Sequence, residues 1–174
     1  MKPVNLTRLE DWTSLSDETD ENIRRIFSDA CTAHSPRGRV ALLAVGGYGR
    51  RELAPFSDLD ILLVHEERAI DGAFAQALWY PLWDTGRKVG HAVRTPNVTL
   101  QMIRTDLDTA TALVTARVVA GDERFGASVI DKSQSVLRKQ GRRWLTELHA
   151  RVLERHRTAG EVAYLLEPDL KGRP

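Results

Sequence analysis

Two carboxylates and two adjacent glycines stand close together in VGGYGRRELAPFSDLDILLVHE, residues 45–66. Asp58 and Asp60 lie two apart at the head of an apolar run. On a strand both side chains would leave the same face, with Cα atoms roughly 7 Å apart. Two carboxylates aimed at one point repel each other unless something positive sits between them. A shared proton is one answer; Mg²⁺, which takes one or two carboxylates plus phosphate oxygens, is another. The glycines favour the metal. Gly46 and Gly47 leave no side chain between their N–H groups and a ligand, which suits an approaching phosphate. Arg50 and Arg51 add guanidinium forks matched to phosphate oxygens. Taken together, these residues point to a metal–nucleoside-triphosphate site.

Each half alone is commonplace. Gly-Gly after a strand usually makes a turn, and Asp-x-Asp more often marks a solvated turn or a helix cap. GGYGRRE lacks the third glycine of the dinucleotide fingerprint, and no Gly-Lys-Ser/Thr follows to make a P-loop. What carries the reading is the joint order: buried strand, Gly-Gly, short spacer, then Asp-x-Asp on a second buried strand.

The elements that must position these residues follow from periodicity. SDETDENIRRIFSDACTAH (16–34) has acids at its front and apolar residues at Ile23, Ile26, Phe27, Ala30 and Cys31, one face of a helix. RVALLAV (39–45) and LDILLVH (59–65) read as strands buried on both faces. Residues 70–86 read as a helix kinked or split at Pro81 and capped by Gly86. KVGHAVRT (88–95) is a third strand, and Thr95-Pro96 makes a helix start. DLDTATALVTARVVAGD (106–122) has the spacing of another helix. The chain then stays helical and basic to about Ala159, with Trp144, Leu145, Leu148 and Val152 at core spacing.

The fold class expected is α/β or α+β, a small mixed sheet with flanking helices followed by a helical extension. Four segments are expected: a polar stretch 1–16, a core 17–122, a helical extension 123–164 and a tail 165–174. At 174 residues the chain can bury one substantial core. Its net charge of +1 signals no nucleic-acid partner. Cys31 is the only cysteine, so no intrachain disulfide can form. MKPVNLTRLEDW has no apolar leader core, and VALLAV is far too short to span a bilayer. A cytoplasmic protein with no membrane partner is expected. The run Arg138, Lys139, Arg142, Arg143 reads as the solvated face of a helix, and Trp79, Trp83 and Trp144 read as core.

Gly-Gly, a spacer and Asp-hydrophobic-Asp resemble the signature of the polymerase-β-type nucleotidyltransferase superfamily. More closely, GGYGRRELAPFSDLDILLV resembles the transferase domain of the bifunctional uridylyltransferase/uridylyl-removing enzymes that modify the PII nitrogen-signalling protein. LWDTGRKVGHAVRT, DLDTATALVTARVVAGD and YLLEPDLKGRP extend the likeness over roughly residues 20–174.

That resemblance implies transfer of UMP from UTP to a tyrosine of PII with release of pyrophosphate; some relatives use ATP instead. It implies that Asp58 and Asp60 hold Mg²⁺, that Gly46 and Gly47 cradle the triphosphate, and that Arg50 or Arg51 meets its outer phosphates. Ser57 would orient the carboxylate strand or serve as a simple turn serine. Tyr48 would stack on the base or prop the loop. The superfamily's third carboxylate has no counterpart in KVGHAVR, which offers Arg94 and His91, the latter as a general base, over the nucleotide or as a satisfied structural histidine. Asp84, Asp106 and Asp108 are the other acids within reach, the last two also suited to helix N-termini. Family members are several times longer, with HD and ACT domains; no His-Asp dipeptide occurs here. The resemblance therefore implies a transferase domain without uridylyl removal or glutamine sensing.

Overall fold

A computed structural model of the chain describes residues 9–54 and 57–159, with side chains over 13–54 and 57–158. Helix α1 spans Leu9–Ala33 and strand β1 Val40–Ala44; a single helical turn, α2, covers Gly46–Gly49. Strand β2 (Leu59–His65), helix α3 (Gly72–Trp83) and strand β3 (Val89–Arg94) follow. Then come α4 (Pro96–Thr105), α5 (Leu107–Ala112), a 3₁₀ turn (Leu113–Thr115), β4 (Arg117–Gly121) and the long α6 (Glu123–Ala159). The four strands form one mixed sheet in the order β3-β2-β1-β4, with β1 antiparallel to both neighbours and β2 parallel to β3.

Strand alternation sends side chains to two cores. Leu42, Ala44, Ile61 and Leu63 pack with Ile23 and Phe27 of α1 and with Phe74 and Leu78 of α3. Ala41, Leu43, Leu62 and Val64 face the other way, onto Ile103 of α4, Leu107 of α5 and Phe125 and Val129 of α6. Each fully buried leucine contributes about 2 kcal/mol of hydrophobic stabilisation. The helix caps follow the sequence: Asp71 accepts from the Phe74 N–H at 2.9 Å, and Thr95 caps α4 ahead of Pro96. Among the described residues no helix is long and apolar enough to cross a membrane.

The mixed sheet with flanking helices is the architecture expected, but several local expectations fail. Helix α1 begins at Leu9, ahead of the expected start at Ser16, so its acidic stretch lies mid-helix and one acid, Asp20, is buried. Pro81 does not split α3, which runs unbroken to Trp83; the proline sits in the last turn, where its ring removes one i→i−4 bond. Residues 106–122 are not one helix. The apolar spacing holds through Leu113, but 117–121 is β-branched and meets the open edge of β1, where strand pairing wins. Val118 and Val119 accordingly face opposite cores. Finally, at 37 residues α6 is about 55 Å long, far more than four strands can cover. Trp144 is buried, but Leu145 and Leu148 are exposed. Trp83, at the end of α3, is likewise 42% exposed.

One polar cluster sits inside the first core. Asp20, 1% exposed, accepts both Arg117 nitrogens, at 2.6 and 2.8 Å, and the Tyr48 hydroxyl at 2.5 Å. Arg24 reaches the same carboxylate at 3.4 Å and donates to the Val119 carbonyl at 3.0 Å. The Arg117 guanidinium also lies 4.8 Å from the centre of the Tyr48 ring, a cation–π contact. Burial alone would raise the Asp20 carboxyl. The hydrogen bonds from Arg117 and Tyr48 and the charges of Arg117 and Arg24 outweigh it, and the group is held below its ordinary value of 3.8.

Two outcomes are expected in unfolding experiments. A carboxyl whose folded pKa is depressed stabilises the fold above its unfolded value, and that stability is lost as pH falls through the folded one. Urea midpoints measured from pH 6 downward should therefore fall below about pH 4 in the parent protein. They should start lower and fall less steeply in Asp20→Asn; a parallel pair of curves would contradict the buried charge. Gly121 has φ of +90°, and a Cβ there would overlap the Val40 carbonyl oxygen. Gly121→Ala should cost about 2 to 4 kcal/mol, read from the urea midpoint at neutral pH.

Candidate active site

Strand parity delivers Asp60 to the face of the sheet that carries α4, α5 and α6; Asp58 lies just before the first residue of β2. Asp60 shares that face with Leu62 and Val64, both in the second core. The backbone is fixed from both sides: the Val45 N–H donates to the Asp60 carbonyl at 3.1 Å, and the Leu59 N–H to the Lys88 carbonyl at 2.8 Å. Asp60 opens onto a cleft of about 380 Å³ whose walls include Gly90, Arg94, Asp106 and Thr109.

Glycine flanks this carboxylate on two sides. Gly46, at φ +59°, would carry a Cβ only 3.3 Å from Asp60 Oδ2. Gly90 lies opposite Asp60 on β3, and a Cβ there would overlap Asp60 Oδ1. An alanine at Gly90 would push the carboxylate aside, so the glycine keeps it turned toward the cleft. Asp58, two residues earlier, meets the Lys88 ammonium at 3.1 Å. A cation therefore already stands against one of the two acids.

The Gly loop is built from below. The Gly49 N–H donates to the Val45 carbonyl at 3.0 Å, and the Thr115 hydroxyl to the Gly46 carbonyl at 3.1 Å. A Cβ at Gly49 would overlap the Thr115 carbonyl oxygen, so loop and 3₁₀ turn touch backbone to backbone. Tyr48 is 1% exposed. Of the two readings of Tyr48, its ring props the loop; it does not stack on a base, because its face and hydroxyl are taken by Arg117 and Asp20. Burial, reinforced by the Asp20 carboxylate, pushes the Tyr48 phenol far above its usual pKa.

The remaining candidates divide. The Arg50 side chain runs past Gly47, with Nη2 3.7 Å from where a Cβ would stand, and pairs with Glu52 at 2.6 Å. Arg51, at φ +61°, turns instead to Asp17 of α1 at 3.4 Å. The Ser57 hydroxyl donates to the Ala54 carbonyl at 2.7 Å, the bond of a turn serine. Arg94 lines the cleft and donates to the Thr109 hydroxyl at 3.2 Å.

His91 is a correction. The residue lines the cleft, but its ring lies 4.9 Å from Trp79 and 5.4 Å from Trp83 of α3, on the side of the sheet that strand alternation turns from the Asp60 side chain. Odd-numbered β3 side chains go to that face; Gly90, Ala92 and Arg94 go to the cleft. Asp106 and Asp108 do line the cleft. Asp106 also caps α5, and hydrogen bonds from the Thr109 side chain and N–H hold its carboxyl below the ordinary range. Asp108 pairs with Arg151 at 2.9 Å. Asp84 closes α3 and does not line the cleft. Arg138, Lys139, Arg142 and Arg143 are exposed along α6, as a solvated face.

Sequence reasoning overlooked Gly90, Lys88, Asp20 and Arg117. Only Gly90 carried a local signal, an isolated glycine inside a strand pattern, which marks close approach.

No family model matches the chain. It is 40% identical over 161 residues to the bifunctional uridylyltransferase/uridylyl-removing enzyme of Streptomyces coelicolor, covering 91% of this chain and 19% of that protein. The enzyme of the same description from Mycobacterium tuberculosis is 41% identical over 133 residues, 75% of this chain and 16% of its own length. That of Phenylobacterium zucineum is 36% identical over 167 residues, 90% and 18%. Among solved structures, a toxin–antitoxin with AMP-PNP gives a TM-score of 0.45 at 12% identity, covering 75% of this chain and 98% of that one. The chain spans about a fifth of the length of the curated relatives it matches. Over about nine tenths of its own length, it is a homologue of one segment of the bifunctional uridylyltransferase/uridylyl-removing enzymes.

Proposed function

We propose that the chain is a metal-dependent nucleotidyltransferase domain of the polymerase-β type. It transfers UMP, or AMP, from the triphosphate to a tyrosine of the PII signalling protein and releases pyrophosphate. The observation that carries this reading is the Asp60 carboxylate lining a cleft, bordered by Gly46 and Gly90, with Asp58 two residues before it in the chain. The relatives described above, all bifunctional uridylyltransferase/uridylyl-removing enzymes, support the same reaction class.

The residues present fit Mg²⁺. Among the described residues no group of three or more His, Cys, Asp or Glu could hold a metal by themselves. Two neighbouring carboxylates are the donor set Mg²⁺ uses when substrate phosphates complete its shell. Asp58, released from Lys88, and Asp60 would hold the ion, and Lys88 stands ready to meet phosphate charge. Bound there, Mg²⁺ supplies the positive charge that offsets the phosphates in an in-line displacement.

In that displacement the tyrosine oxygen attacks the α-phosphorus and gives up its proton to solvent water. The bond from the α-phosphorus to the bridging oxygen breaks, and pyrophosphate leaves with the electron pair. The backbone of Gly46 and Gly47 lies beside the carboxylates, where nothing bulkier than hydrogen separates it from a phosphate. Arg50, next to Gly47, is the guanidinium placed for the outer phosphates. Arg94 borders the cleft as the arginine facing the nucleotide.

The test is pyrophosphate release by the chain with Mg²⁺ and PII, run in parallel with UTP and ATP. Release with one of them identifies the donor. Asp60→Asn should lower it at least ~100-fold. Gly90→Ala should lower it roughly 10- to 100-fold by displacing a carboxylate about an ångström, while its urea midpoint stays at the parent value. Full activity in both variants would remove the assignment. Tight binding of Mg²⁺-nucleotide without release would favour a binding module that needs the rest of the longer protein.

A further inference from the structure

We infer that Asp20 is a positioning residue for the Gly loop. Through Tyr48 and Arg117, it sets the loop backbone beside Asp60, so that helix α1 is part of the nucleotide site although none of its described side chains lines the cleft. The inference rests on the reading of Gly46 and Gly47 as phosphate-binding backbone.

The contacts converge on the loop from outside it. The Tyr48 hydroxyl hangs on Asp20 at 2.5 Å, and one Arg117 nitrogen that holds Asp20 also donates to the Tyr48 carbonyl at 3.3 Å. One charged pair therefore grips Tyr48 at both its side chain and its backbone. Tyr48 is the residue between Gly47 and Gly49, so its placement sets the glycines on either side. Glycines confer no rigidity of their own, and a phosphate cradle needs its N–H groups fixed before the ligand arrives. A second thread ties the loop to the same helix, with Arg51 on Asp17 at 3.4 Å. Arg24 touches the Asp20 carboxylate but reaches β4 rather than the loop. A substitution there perturbs the same acid and leaves the loop contacts intact.

That difference supplies the test. Tyr48→Phe removes one hydroxyl and keeps the ring; Arg24→Ala removes a different contact to the same carboxylate, together with the bond to the Val119 carbonyl. Amide hydrogen exchange in the intact chain should speed up about tenfold in Tyr48→Phe at Gly49, Arg50 and Glu52, whose N–H groups close the loop. The amides of β1 should stay at parent rates in Tyr48→Phe, and loop and strand alike in Arg24→Ala. The affinity for UTP in Mg²⁺ should fall by a similar factor in Tyr48→Phe and stay within twofold in Arg24→Ala. Loop exchange at the parent rate in Tyr48→Phe would overturn the inference, as would equal loosening of loop and strand. Should the loop loosen selectively while the parent chain binds neither UTP nor ATP, the positioning role stands and the nucleotide reading falls.

Discussion

The arrangement around the Gly loop depends on one buried carboxylate, Asp20, and the arginine that neutralises it. Taking a charge out of water is costly, and removing one member of a buried pair leaves the other uncompensated, at about 3 to 5 kcal/mol. Asp20 meets that cost by accepting from Arg117 at two points and from Tyr48 at a third. The partners come from α1, the Gly loop and β4, and Asp20 and Arg117 are 97 residues apart in sequence. The pair is satisfied only when the edge strand β4 is docked on β1 and α1 is laid across the same face. It works less as a store of stability than as a condition that one arrangement meets.

This explains which parts of the molecule were legible in the sequence. β1, β2 and the start of α4 were readable because each rests on a local rule: a continuous apolar run, or a threonine ahead of a proline. Asp60 was readable because strand parity alone fixes its face. Asp20 was not, because an acid near a helix front has a sufficient local explanation, and only the distant Arg117 changes its meaning. Arg117 was hidden in turn by the apparent helix at 106–122, where apolar spacing fits a helix up to Leu113 and then runs on into a strand. His91 failed for a related reason: its neighbours in sequence place it near the site, but β3 parity turns it away.

The long helix α6 shows a limit of the same kind. Its first turns pack Phe125 and Val129 on the sheet, and Gly126 lets it approach closely, since a Cβ there would meet Ala41 at 3.0 Å. Trp144 is buried further along. Past the sheet the apolar stripe continues through Leu145 and Leu148 with nothing among the described residues covering it. Periodicity reports that a helix has an apolar face; it does not report where the surface meant for that face ends.

The catalytic reading finally turns on register. A shift of β2 by one residue would carry Asp60 into the α1–α3 core and send Leu59 and Ile61 to the cleft. Two neighbours oppose that shift. β1 pairs along its whole length antiparallel, with Ala44 opposite Ile61, and β3 pairs in parallel, with Gly90 opposite Asp60. The apolar residues of β2 are buried on both faces, so hydrophobicity alone fixes its parity only weakly; the acid at Asp60 settles it, because the packed α1–α3 core offers it no opening whereas the other face has the cleft. The carboxylate that makes the site chemically interesting thus also helps to choose the strand register that exposes it. A single glycine on the neighbouring strand, Gly90, leaves the room that this register requires.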